Sequence, residues 1–159
     1  MQLSIKWHKP VELLDGHKQD LIYTIDDLDQ WDEISGVYML CRQFGGKTIP
    51  LYIGKAENIS TRIKQHLNTT KLMTKLRKGV PGETKGKRVV VVGEFTAKSA
   101  QSTKKCIGII ERSLIAHALA NGYTLLNVKG TNTPTHDIEF SGYLQARMLT
   151  GKLLSVAAK

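Results

Sequence analysis

The chain has 159 residues, 41% of them apolar, a length and composition that indicate one globular domain with its own core. No apolar run approaches the roughly 18 residues of a membrane span, and the N-terminus lacks the apolar core of a signal peptide. A cytosolic protein without a membrane partner is therefore predicted. The net charge of +9 is uneven, because residues 1–35 hold three basic and eight acidic residues. The basic remainder favours a polyanion partner, nucleic acid before membrane.

The first segment, residues 1–33, is predicted to be an extension that packs on the main domain. Weak alternation in LSIKWHKPVELL predicts an edge strand, because Pro10 cannot donate a ladder hydrogen bond. A turn at residues 15–17 leads into a second short strand, LIYTI, and DDLDQWDEI is consistent with one acidic helical turn.

A β-hairpin followed by a helix forms the middle of the chain. The stretches GVYMLCRQF and TIPLYIG flank Gly45 and Gly46, a pair typical of tight hairpin turns. The helix that follows has Asn58 as a candidate N-cap. Its apolar stripe at helical spacing comprises Ile59, Ile63 and Leu67. Residues 75–88 are rich in Lys, Gly and Pro and predict a basic loop.

The second half of the chain adds a strand and two helices. RVVVVGEFTA predicts a buried strand, and a helix is predicted from Ser102 to Ala120, where an Asn-Gly pair ends it. YTLLNVKG predicts a short strand or turn, and the tail is predicted to contain one more helix. The order of elements predicts a small mixed α/β sheet with helices packed on it.

Glu111 lies within the apolar face of the second helix. At 100° per residue, Ile107, Leu114, Ile115 and Ala118 all lie within about 60° of its direction. A carboxylate in that position is costly unless a partner compensates its charge. It is either paired with a Lys or Arg at the edge of the core, or it is a metal ligand or general base at the rim of a cleft. The residues alone leave both interpretations open.

The first helix and the hairpin carry further polar groups. Arg62 and His66 are four residues apart and share a helix face. A guanidinium suits a phosphate and an imidazole exchanges protons near neutral pH, although an ordinary polar flank also explains His66. Tyr38 and Tyr52 lie on facing strands and are expected side by side. A phenol has a pKa of about 10 and needs a nearby cation such as Lys55, or a metal-bound water, to act as a base. Packing alone also explains strand tyrosines.

Taken in chain order, these residues resemble the signature of the GIY-YIG nuclease domain. The signature here comprises GVY at 36–38, YIG at 52–54, Arg62, His66, Glu111 and Asn127. The resemblance covers about residues 34–130 and implies an α+β fold, a small three-stranded antiparallel sheet flanked by helices. Residues 131–159 are then a C-terminal extension, predicted to be helical.

The resemblance also implies an activity, the hydrolysis of DNA phosphodiester bonds with a divalent metal, Mg²⁺ or Mn²⁺. Glu111 would be the sole protein ligand of the metal, whose other positions are filled by water and phosphate. Tyr38 would act as the general base or orient the attacking water, and Arg62 would hold the scissile phosphate. Tyr52 and His66 would support the phosphate or the water.

Asn127 would help to position the glutamate or a neighbouring loop. This chain departs from the family pattern in two ways. Val37 replaces an Ile, which is a mild change, and the hairpin is longer than usual. Gly45, Gly46 and Pro50 are expected to absorb the additional length.

Residues around the signature are predicted to bind the DNA substrate. They are Gly54, Lys55, Lys64, Lys75, Arg77, Lys78, Lys87 and Arg88. The leading interpretation is a metal-dependent DNA endonuclease with a role in restriction, mobile elements, repair or defence, and a homodimer is possible. The alternative is a non-catalytic nucleic-acid-binding module on a nuclease scaffold. The intact signature favours catalysis.

Overall fold

From the hairpin to the helix at Thr103–Ala120, the order of strands and helices follows the prediction, except that a second helix at Thr70–Lys78 precedes the buried strand. In the computed structural model, the residues described are 2–82, 84–127, 135–139, 141–150 and 153–157. The strands are β1 (Lys6–Trp7), β2 (Val11–Glu12), β3 (Leu14–Asp15), β4 (Tyr23–Thr24), β5 (Gly36–Phe44), β6 (Lys47–Ala56), β7 (Lys87–Glu94), β8 (Thr135–Glu139) and β9 (Leu153–Ala157). The helices are α1 (Ile59–Leu67), α2 (Thr70–Lys78), α3 (Thr103–Ala120) and α4 (Leu144–Thr150), with short 3₁₀ helices at His17–Gln19 and Leu28–Trp31.

The main sheet is built on three long antiparallel strands, with β5 between β7 and β6. The short strands β1 and β2 both pair with β7 on its other side, so the N-terminal segment extends the sheet. β3 and β4 form a separate two-stranded sheet. The predicted α+β fold, a small antiparallel sheet flanked by helices, is confirmed.

Two features of the β5–β6 hairpin, its glycine turn and a β-bulge, accommodate its additional length. Gly45 and Gly46 have φ values of 59° and 75°, the left-handed region that tight hairpin turns require and glycine adopts readily. Leu51 is an extra residue in β6, since Leu40 pairs with Tyr52 whereas Cys41 pairs with Pro50. Beyond this β-bulge the two arms of the signature remain paired.

The two faces of the sheet are covered by different helices. On one face, α1 and α2 contribute Ile63 and Leu76 to a core that includes Tyr38 and Leu40 of β5. On the other face, Ile53 of β6 packs with side chains of α3. Successive side chains of a strand point to opposite faces, so the hairpin supplies groups to both layers.

The ends of the helices largely follow the sequence signals. The side chain of Asn58 accepts a hydrogen bond from the backbone N–H of Thr61 at 3.0 Å, which caps α1 as predicted. The predicted loop at 75–88 is wrong at its start, because α2 continues to Lys78. Met73 and Leu76 of α2 are three residues apart and pack into the core, a short apolar stripe that the surrounding basic residues obscure.

Arg88 of β7 is a structural residue. Its side chain is buried, and its guanidinium donates hydrogen bonds of 2.8–3.1 Å to the backbone carbonyls of Leu76, Arg77, Thr84 and Gly86. These bonds tie the end of α2 and the following loop to the sheet. The prediction that Arg88 binds substrate is therefore corrected, because its donors already have protein acceptors.

The chain divides into two compact units, one up to Leu126 and the other from Asn127 onwards. In the first unit, residues 123–126 form no strand, and the N–H of Leu126 donates to the carbonyl of Leu51 at 2.6 Å. In the second, β8 and β9 are antiparallel and α4 supplies the helix predicted for the tail. Within the residues described, no helix has the length and hydropathy that crossing a bilayer requires.

Candidate active site

The phenol ring of Tyr38 lies within a cluster of aromatic side chains above β5 and β6. Tyr38 is 1% exposed, and its ring stacks on that of Tyr52 with a centroid distance of 6.3 Å and an interplanar angle of 18°. The two residues are diagonal neighbours, because Tyr38 pairs with Gly54 and Leu40 pairs with Tyr52. The expected side-by-side placement of the two phenols is present.

Gly54 leaves the space that the ring of Tyr38 occupies. A Cβ atom on Gly54 would lie 2.5 Å from the phenol oxygen and 2.6 Å from Cζ of Tyr38, far inside van der Waals contact. On Gly36, a Cβ atom would collide with the backbone of Gly93 in the neighbouring strand. Both signature glycines therefore make room for groups of the protein itself. Direct contact between Gly54 and a substrate stays a prediction.

His66 of α1 contacts both phenols. Its Nε2 lies 2.5 Å from the hydroxyl oxygen of Tyr38, and its ring meets that of Tyr52 edge-on at a centroid distance of 5.3 Å. The start of α1 is tied to the chain that precedes the hairpin, because the N–H of Ile59 donates to the carbonyl of Ile34 at 2.9 Å. The hairpin and the helix therefore position the three rings together.

The protonation states of Tyr38 and His66 follow from their burial. Burial, assisted by the charge of Arg62, lowers the pKa of His66 to about 4. Burial also raises the pKa of Tyr38 well above its usual value, and the neighbouring Tyr52 raises it further. At pH 7, Tyr38 is therefore protonated and His66 is neutral, and the phenol O–H donates to Nε2 in the tautomer of His66 that carries its proton on Nδ1.

Arg62 and Glu111 both act on the two phenols. Arg62 is exposed on α1, with one hydrogen bond of 3.2 Å to Gln65. Burial is the main cause of the raised pKa of each phenol, but the charge of Arg62 lowers both values and the charge of Glu111 raises both. The cation and the carboxylate of the signature are therefore close enough to the same pair of rings to influence their ionisation.

Glu111 points from α3 towards β6 and is paired. Its Oε2 lies 2.5 Å from Nζ of Lys55, and the two side chains are 20% and 37% exposed. The ion pair left open by the sequence is therefore present. A role as metal ligand would require this carboxylate to exchange Lys55 for the cation. Arg62, and not Lys55, is the cation whose charge lowers the pKa of Tyr38.

The comparison with known families agrees with this geometry. A family model described as the GIY-YIG catalytic domain matches residues 34–124, more than half of the chain. The chain belongs to the GIY-YIG family. No significant match to a curated protein or to a solved structure was found. The GIY-YIG match includes Tyr38, Tyr52, Arg62, His66 and Glu111, and it identifies a domain of the nuclease superfamily.

The donors of this GIY-YIG domain fit a metal that is shared with a phosphate. Within the described ranges, no three His, Cys, Asp or Glu side chains are grouped so that they could hold a metal. Glu111 offers a hard carboxylate oxygen at the edge of the phenol cluster. Because Mg²⁺ commonly binds one or two carboxylates and keeps water and substrate phosphate as its other ligands, a single glutamate suffices when substrate is present.

Lys87, one of the predicted substrate-binding residues, lies away from the phenols. Lys87 pairs with Gln43, five residues along β5 from Tyr38 and therefore about 17 Å away. It also bonds Glu12 at 3.3 Å. Substrate contact by Lys87 stays a prediction, and its position at the hairpin turn does not favour the scissile phosphate.

The remaining predicted residues lie on α1, at the end of α2 and at the start of the second unit. Lys64 is exposed on α1, and Lys75, Arg77 and Lys78 are exposed in the last turn of α2. Basic side chains at that position also stabilise a helix end, because they face the negative end of its dipole. Asn127 begins the second unit. Substrate contact by the four basic residues and the positioning role of Asn127 stay predictions.

A basic groove beside Lys55 was not predicted from the sequence. Its other lining residues are Lys104, Lys105, Gly108, Ile109 and Arg112, all on α3. Two signals in the sequence point to it. They are adjacent lysines in the first turn of a helix and a glycine in its interior.

Proposed function

We propose that this GIY-YIG domain is a metal-dependent DNA endonuclease that hydrolyses phosphodiester bonds. The observation that carries the proposal is the hydrogen bond of 2.5 Å between the phenol of Tyr38 and a neutral His66. With Nδ1 of His66 protonated, Nε2 is a proton acceptor behind the candidate general base. Arg62 and Glu111 lie beside this pair. Phosphoryl-transfer chemistry requires a hydrogen-bond donor to the phosphate, here Arg62, and a metal ligand, here Glu111.

The proposed reaction begins with water. A water molecule beside Tyr38 loses a proton to the phenol oxygen as the phenol proton moves to Nε2 of His66. This coupled transfer avoids a free phenolate, which the raised pKa of Tyr38 makes unfavourable at pH 7. Because the pKa of His66 is about 4, the imidazolium then passes its proton to solvent, which restores the neutral ring. The resulting hydroxide attacks phosphorus, the bond to the leaving oxygen breaks, and that oxygen takes a proton from solvent.

Arg62 opposes the negative charge that develops on the phosphate oxygens. Its guanidinium is exposed on α1, so it can form two hydrogen bonds to one phosphate. Tyr52 stacks against Tyr38 and holds the reacting ring in place. Glu111 would hold Mg²⁺ or Mn²⁺, which when bound neutralises charge on the scissile phosphate and on the leaving oxygen.

A nucleic-acid-binding module without catalysis is the second candidate. The observation that favours it is the pairing of Glu111 with Lys55 at 2.5 Å, because this ion pair occupies the carboxylate proposed for the metal. A binding module would keep the same basic surface and would not need the carboxylate to exchange partners.

Plasmid cleavage separates the two candidates. Supercoiled DNA is incubated with Mg²⁺, Mn²⁺ or EDTA at low salt, and nicked and linear products are quantified. Wild type is compared with Glu111→Ala, Tyr38→Phe and the matched control Glu57→Ala, whose side chain is exposed. We expect metal-dependent cutting that falls by at least about 100-fold in the first two variants and stays unchanged in the control. Early linear product would support a homodimer.

Single-stranded and branched DNA serve as further substrates. If wild type binds all three DNA forms but cuts none of them with either metal, the endonuclease proposal fails and the binding module becomes the better description. Cutting that persists unchanged in Glu111→Ala would refute the metal ligand assigned here.

A further inference from the structure

We infer that the groove on α3 beside Lys55 binds the backbone phosphates next to the scissile one. This inference rests on the proposed function, because it extends the path of the DNA beyond the phenol cluster. The groove has a volume of about 370 Å³, the volume of roughly a dozen water molecules, which is ample for a phosphate group. Its cationic lining consists of Lys55, Lys104, Lys105 and Arg112.

The acidic charge of α3 does not balance the cations that the helix contributes to the groove. Glu111 is the single acidic residue of α3, and it is paired with Lys55. Lys104 and Lys105 are in the first turn of the helix, where the positive end of the dipole disfavours cations. Like charges held together in this way repel one another, so an anion that enters the groove is attracted by all of them.

Gly108 forms the floor of the groove and provides an independent argument. It is buried in the interior of α3, where glycine is markedly less favourable than alanine. A Cβ atom there would meet only the ends of two flexible side chains, Nζ of Lys55 at 3.6 Å and a guanidinium nitrogen of Arg112 at 3.7 Å. Packing within the protein therefore does not require a glycine, whereas the close approach of a phosphate between these cations does.

The groove leads away from the candidate metal ligand. Lys104 and Glu111 are seven residues apart on one helix, a distance of about 10 Å along its axis. One strand of a duplex advances about 3.4 Å per nucleotide along the duplex axis, so a groove that runs parallel to that axis spans roughly three nucleotide steps. A strand whose scissile phosphate lies at Glu111 therefore places its neighbouring phosphates along α3. A basic groove reads no base, so its contribution is independent of sequence.

Binding to a fluorescein-labelled DNA duplex in EDTA tests the groove without cleavage. Fluorescence anisotropy is measured between 50 and 200 mM salt for wild type and for Lys104→Gln/Lys105→Gln. The control is Lys9→Gln/Lys18→Gln, which removes the same charge at exposed positions of the N-terminal segment. We expect the groove variant to bind about tenfold more weakly, with a salt slope shallower by about 1.8, as two lost phosphate contacts predict. The control should bind as wild type does.

Gly108→Ala gives a second, opposite readout. We expect its Tm to rise by roughly 2–4 °C because of the better helix propensity of alanine, while its affinity for the duplex falls severalfold. A protein that is more stable and binds as tightly as wild type would refute the placement of a phosphate over Gly108.

The possible failures are distinguishable. If the groove and control variants bind equally well, the groove inference is overturned and the endonuclease proposal is unaffected. If wild type binds through the groove but cuts no DNA, the endonuclease proposal fails and the groove remains. If the lysine pair controls binding to an RNA duplex of the same sequence but not to DNA, the inference is overturned in favour of RNA.

Discussion

Replacing Gly54 by alanine should displace the ring of Tyr38. The added Cβ atom would lie 2.5 Å from the phenol oxygen, whereas ordinary contact begins at 3.4 Å, so the ring must move by roughly 1 Å. Overpacking of this kind costs about 1–3 kcal/mol of folding free energy. A shift of 1 Å at a reacting group lowers a rate by about 100-fold. Gly54→Ala should therefore lose both stability and nuclease activity.

Urea unfolding and plasmid nicking measure the two effects at a temperature at which both proteins are folded. A double-mutant cycle with Tyr38→Leu identifies the cause, because the smaller side chain removes the atoms that collide with the new Cβ. In that background, the stability cost of Gly54→Ala should largely disappear. A cost that is equally large without the phenol ring, or an alanine variant with wild-type stability and activity, would refute the explanation.

Two further predictions concern His66 and Arg88. Because burial lowers the pKa of His66 to about 4, the unfolded chain binds a proton between pH 6.5 and 4 that the folded protein does not. Stability should therefore fall as the pH decreases through this range, and urea unfolding at several pH values should show that His66→Gln lacks this component. Arg88→Met should lower the unfolding free energy by roughly 3 kcal/mol, because buried carbonyls lose their donor, and anisotropy should show unchanged DNA affinity at temperatures where the variant is folded.

The sequence alone determined the family and most of the elements. The signature is defined by residue types and their spacing, which the sequence gives directly. The hairpin, its glycine turn and the capped helix α1 follow from the local preferences of turn and capping residues. The apolar stripe of α1 and the apolar run of β7 could be recognised in the sequence because the pattern of apolar residues indicates which side chains are buried. Helix α2 was not predicted, because the lysines around Met73 and Leu76 hide an apolar stripe only two turns long.

The tertiary structure decided how the polar groups are used. Arg88 and Lys55 are both basic residues near the signature, yet Arg88 is buried among backbone carbonyls and Lys55 pairs with Glu111 across two elements. Residue type gives the charge of a side chain, but its partners depend on segments distant in the chain. The burial that makes His66 neutral and the space above Gly108 likewise arise only when helices pack on the sheet, because desolvation and close approach are properties of the packed fold.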